Sequence, residues 1–291
     1  MKSLNSLHSD SVNPGNPKQE ASGIVDKYSG LDYLNATGEV KFGLTNDYLF
    51  RIVFQENKLA LKGLLCSILK LNDDEIVNLK IKNPIKPGDT VSEKEFRLDI
   101  SACLNNSKSI DLEMQIKNED NWKERSLAYL CRDFDEIARG NDYVSAGTTY
   151  HIGFIDFTLF ENYPEFCALY QMRNAKDSHL YTGKFNLYVI SLVQTASATN
   201  DDIESGLVRW VRFFKAKTWK ELIMIASDNK YMQSAAEAVY LTENDYHIAM
   251  AALDREAFLR RQAKKDAKIE ELSLENERLR ALLAANGIKA D

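Results

Sequence analysis

"FRLDISACLNNSKSIDLEMQI", residues 96–116, is the stretch on which the reading of this chain turns. Apolar and polar residues alternate through it, the period of a strand with one buried face. Phe96, Leu98, Ile100, Ala102 and Leu104 point one way, and Arg97, Asp99, Ser101 and Cys103 the other. Beyond Asn105-Asn106-Ser107 the pattern resumes, with Ile110, Leu112, Met114 and Ile116 opposed by Asp111, Glu113 and Gln115. Both apolar sets enter one core only if facing residue numbers sum to an even number, which a loop of odd length provides. Asp99 then lies directly across from Glu113, with side-chain roots roughly 5 Å apart. Two carboxylates so placed repel each other unless a positive charge sits between them. Two readings are open. One is an exposed antiparallel face carrying a solvated pair, relieved by Arg97 or Lys108. The other is a site of oxygen ligands for a divalent cation such as Mg²⁺.

Upstream, "TNDYLFRIVFQENKLALKGLLCSILKL" predicts two helices. Leu49, Ile52 and Val53 share a face of the first, with Thr45 or Asn46 as its cap; Leu61, Leu64, Leu65 and Ile68 share a face of the second. "EIVNLKIKNP" predicts a strand ending near Pro84, followed by turn residues. Downstream, "NWKERSLAYLCRDFDEIARG" predicts a helix with Leu127, Leu130, Phe134 and Ile137 inward, closed by Gly140. "TTYHIGFIDF" and "KFNLYVISLV" have the continuous apolar character of strands buried on both faces. Past residue 200 the chain reads as successive helices. In the last of them Ile269, Leu272, Asn276, Leu279 and Leu283 alternate spacings of three and four, a coiled-coil seam with one polar position. That stripe either pairs two copies or packs on its own domain. The expected divisions are a tail at 1–30, a core at 31–200, a helical region at 201–256 and a C-terminal helix at 257–291.

Bulk composition is that of a globular protein of 291 residues, 44% hydrophobic and 27% charged. A net charge of -6 does not advertise nucleic-acid binding, although a local basic patch outweighs the sum. The first twenty residues contain no apolar leader and no stretch reaches membrane-span length. Cys66, Cys103, Cys131 and Cys167 show no C-x-x-C pairing. A reduced cytoplasmic protein with no membrane association is expected.

Asp99, a hairpin and then "IDLEMQI" resemble the core of the PD-(D/E)XK nuclease superfamily, most closely its recombination-promoting nuclease and transposase branch, where Glu-x-Gln stands for Glu-x-Lys. The resemblance takes in "TNDYLFRIVF" upstream and "WKERSLAYLCRDFDEIARGNDY" and "IGFIDFTLF" downstream. It covers residues 42 to 160 well and the helical region more loosely. It implies an α/β fold: a restriction-endonuclease-like core, a small mixed sheet flanked by helices, with a helical C-terminal extension ending in a short coiled coil. It implies Asp99, Glu113 and the backbone carbonyl of Met114 as ligands of Mg²⁺, with Mn²⁺ able to substitute, and Asp47 as an outer metal contact. Asp47 read by itself is equally an early-helix acid favoured by the dipole. Gln115 stands where the superfamily's lysine orients the attacking water, and it brings no charge. Leu98 replaces the motif's proline.

Arg125, Arg132 and Arg139, seven residues apart, share a helix face and are candidate DNA-backbone contacts, or plain surface cations. "RWVRFFKAKTWK" (residues 209–220) is a mixture of rings and cations that suits either single-stranded nucleic acid or a buried helix face with a charged rim. The four histidines have no ligand spacing, and His151 reads as a packed strand residue. The expectation is a metal-dependent DNA endonuclease of the transposase-like type, a dimer through its C-terminal helix. The alternative is a catalytically inactive nuclease-fold scaffold that binds DNA or protein.

Overall fold

A computed structural model describes residues 30–82, 100–135 and 142–286. The tail, the turn after Pro84, Asp99, Arg139, Ile137 and Gly140 lie outside the described residues. The hairpin forms with the odd loop. Strand β2 (Ile100–Leu104) and strand β3 (Lys108–Gln115) pair antiparallel, Ile100 with Leu112 and Ser101 with Asp111. That is the offset on which the Asp99–Glu113 pairing was predicted. Asn105 and Asn106 turn the chain at φ of 51° and 58°, the left-handed region that asparagine tolerates. Asn105 Oδ1 also accepts from the Val77 and Asn78 amides at 3.0 Å, tying in strand β1 (Leu79–Ile81) on the outer side of β2.

On its other side β3 pairs in parallel with β4 (Thr148–Ile155), and β4 in parallel with β6 (Phe185–Ser191). Parallel neighbours need a crossover, and helix α3 (Trp122–Phe134) supplies it between β3 and β4. Strand β5 (Cys167–Gln171), not anticipated from sequence, closes the edge antiparallel to β6. Only Ala168 of β5 is buried, so its sequence carries little strand signal. The sheet order is β1-β2-β3-β4-β6-β5: a mixed six-stranded sheet flanked by helices.

One face of the sheet packs on α1 (Asp47–Glu56), α2 (Lys58–Leu69), α5 (Leu207–Lys215) and α7 (Lys230–Asn244). Asn46, rather than Thr45, caps α1, its side chain accepting from the Leu49 amide at 3.2 Å. Phe50, Phe54, Phe154, Trp210 and Phe214 form one cluster there, with ring centroids 4.9 to 5.9 Å apart among contacting pairs. The aromatics of the basic run are thus core and its cations are the rim. Helices beyond residue 200 and the strands share this one core. Helix α1 is buried almost all round because Leu49 and Ile52 turn the other way, onto Ile248 and Ala252 of α8 (Tyr246–Ala285). Helix α8 is continuous from Tyr246, not from residue 257, and Ile269, Leu272 and Leu279 are exposed along it.

The opposite face of the sheet lies under α3. Leu130 is inward as expected, but Leu127 is exposed and the inward row is Trp122, Ser126 and Leu130. Those three recur every four residues and so line one side of the helix, from which Leu127 is turned away. Trp122 and Leu130 cover Ile155, Leu187 and Val189. Among the described residues no helix is long and apolar enough to cross a membrane.

Candidate functional site

The polar side of β3 is not a wet face. Asp111 and Glu113 are only 5% and 8% exposed, an unfavourable state for carboxylates unless partners are built around them. The partners come from two directions. Strand β4 sets His151 beside Asp111 and Gly153 beside Glu113 by parallel register. Its fully buried imidazole places Nδ1 2.9 Å from Asp111 Oδ2 and Nε2 3.8 Å from Glu113 Oε2. Helix α3 sets Arg125 Nη2 2.9 Å from Glu113 Oε1, with Nη1 3.4 Å from Glu119.

Aromatic rings wall this cluster. The Arg125 guanidinium lies over the Trp122 ring, 5.5 Å from its centroid. Trp122 and Tyr129 flank His151 at 5.8 and 5.9 Å. The indole reaches this position because position 153 is glycine: a Cβ there would lie 2.1 Å from Trp122 Cζ2. Enclosure shows in the acid–base chemistry. Burial, with the Asp133 charge adding to it, pushes the Asp111 carboxyl up to about 8. At neutral pH a proton therefore sits in the Asp111–His151 contact.

The remaining predicted residues disperse. Gln115 is half-buried and donates from Nε2 to the Lys117 carbonyl at 2.6 Å. The Met114 side chain faces the core, and its carbonyl lies between Glu113 and Gln115 along β3. Asp47 is buried against Arg255 of α8, whose Nε lies 2.9 Å from both carboxylate oxygens. Arg132 is exposed over the Tyr129 ring, so of the arginines on α3 it is Arg125 that enters the cluster. Sequence reading missed Asp111 and His151 as members. Only the parallel register of β3 with β4, forty residues apart in the chain, brings the two together.

Among the described residues no group of three or more His, Cys, Asp and Glu has the placement of a metal site. The donors present, the Glu113 carboxylate and the strand carbonyl, are hard oxygens of the kind Mg²⁺ and Mn²⁺ take, and they fit part of such a shell.

Residues 44–270 match a family model described as PD-(D/E)XK nuclease family transposase. Neither the comparison with curated proteins nor that with solved structures found a match.

Proposed function

The chain belongs to the PD-(D/E)XK nuclease family of transposases, and from that premise we propose that it is a metal-dependent DNA endonuclease of the recombination-promoting type. The observation that carries the reading is the buried acidic end of β3: Glu113 and Gln115 stand in motif order on a strand that pairs with β2 in the register, Ile100 opposite Leu112, expected from the sequence. Asp99, Glu113 and the Met114 carbonyl would hold Mg²⁺ or Mn²⁺. A bound ion would supply Lewis-acid activation of water and charge neutralisation at the phosphate. In the hydrolysis, water oxygen bonds to phosphorus, the bond to the 3′ oxygen breaks, and a proton passes to that oxygen. Glu113 is held in one orientation by Arg125 on one oxygen and His151 near the other, which favours a preformed ligand. Gln115 spends its amide on Lys117 and keeps its carbonyl oxygen to orient water. Arg132, and Arg139 beyond it in sequence, would position the DNA backbone. Exposed Ile269, Leu272 and Leu279 favour pairing of two α8 helices, which suits cutting both strands.

The test is purified protein with supercoiled plasmid and Mg²⁺ or Mn²⁺, beside Asp99→Ala and an EDTA control. Nicking or linearisation that disappears in both controls is the expected result. A folded wild type that cuts with neither ion refutes the reading in favour of the inactive scaffold. The net charge of -6 and the uncharged Gln115 favour that scaffold reading. Thermal shift separates the two: Mn²⁺ should raise the unfolding temperature of a nuclease by mass action and leave a scaffold unmoved.

A further inference from the structure

Gln115 leaves the strand motif without a cation, and the lysine two residues on does not make up the loss. Lys117 is drawn away to Asp266 of α8. Lys108 opens β3, whereas Glu113 and Gln115 lie toward its other end. The charge that reaches Glu113 comes from α3. Arg125 sits 2.9 Å from Glu113 Oε1 with its plane braced by Trp122. Nη2 and Nη1 are engaged by Glu113 and Glu119, while the buried Nε has no hydrogen-bond partner among the described residues. A buried guanidinium N–H without an acceptor is costly, and the edge that carries it suits an anion able to offer two oxygens, as a phosphate can.

Resting on the nuclease reading, we propose that Arg125 is the active-site cation, a catalytic residue that takes over from helix α3 the charge Gln115 lacks on strand β3. Without substrate it neutralises Glu113. With DNA bound, its Nε–H and the Nη2 N–H that Glu113 gives up to the metal take the non-bridging oxygens of the scissile phosphate and stabilise the charge that develops there. A guanidinium does not deprotonate, so Arg125 contributes charge and orientation and leaves proton removal to other groups.

The experiment compares single-turnover plasmid cleavage and calorimetric Mn²⁺ binding in wild type, Arg125→Gln, Arg125→Lys and the double variant Gln115→Lys/Arg125→Gln. Arg125→Gln should lose about 100-fold or more in cleavage. It should bind Mn²⁺ at least as tightly as wild type, since a competing cation beside Glu113 is gone. Arg125→Lys should lose less, and a lysine at position 115 should restore cleavage to the charge-free variant. Arg125→Met, which keeps an apolar stem over Trp122, is a second charge-free variant. The assignment is overturned if either folded charge-free variant cleaves like wild type, if Mn²⁺ binding weakens along with cleavage, if Gln115→Lys restores nothing, or if both charge-free variants unfold. A wild type that never cleaves refutes the nuclease reading itself, and this assignment falls with it.

Discussion

Asp111 Oδ2 lies 2.9 Å from His151 Nδ1, and the two residues are register partners on the parallel strands β3 and β4. Their contact is enclosed by Trp122 and Tyr129 on the α3 side of the sheet. The cluster that follows from it couples the acidic strand to the helix covering it.

The raised Asp111 carboxyl makes stability depend on pH. An unfolded aspartate titrates near 4, while this one titrates at about 8, so between those values the folded state binds the extra proton. The associated stabilisation is complete below the unfolded value and is lost as pH rises through the folded one. In metal-free buffer with EDTA, the urea midpoint should fall from about pH 5 to about pH 9. Asp111→Asn should flatten that slope, and an unchanged slope would contradict the account.

Gly153 is where α3 comes closest to the sheet. Gly153→Ala puts a methyl 2.1 Å from the Trp122 ring and should cost about 1–3 kcal/mol in urea unfolding. Because Trp122 braces Arg125, cleavage should fall beyond what the remaining folded fraction explains.

Asp47 and Arg255 clamp α1 to α8 with both groups nearly buried. Removing one partner by Arg255→Met should cost about 3 kcal/mol, because a buried carboxylate is left behind. The same variant decides what else Asp47 does. Unaltered Mn²⁺ affinity confines it to the clamp, whereas altered affinity places it in the metal shell.

Cysteine chemistry should be site-selective. Burial pushes the Cys167 thiol up to about 12, whereas Cys131 is exposed on α3. Iodoacetamide at pH 8 should label Cys131 first in the folded protein, with Cys167 reacting only after unfolding. Peptide mapping by mass spectrometry reads the order.

The exposed seam of α8 makes a prediction about assembly. Leu272→Lys with Leu279→Lys should shift sedimentation toward monomer while leaving the thermal midpoint of the core within about 2 °C. A wild type already monomeric at high concentration would show that the stripe has another use.

Much of this protein was legible along the chain because the information is local. Alternation at two residues marks strands β2 and β3, and the three-residue Asn105-Asn106-Ser107 loop sets their offset, so the hairpin register follows from counting. Periodicity at three and four residues marks α1, α2 and α8 in the same way. Motif order also singles out Glu113 and Gln115 before any fold is known. The crossing of β4 beside β3 is not local. It is decided by burial of both faces of the sheet and by a helix that must span between parallel strands, and it alone brings His151 to Asp111. The rotation of α3 is likewise set by Trp122 seating on bare backbone at Gly153, which turns Leu127 out and Arg125 in. Sequence by itself determined which strand carries the acids; packing across the sheet decided which cation and which histidine they meet, because those neighbours are chosen by shape and desolvation between segments far apart in the chain.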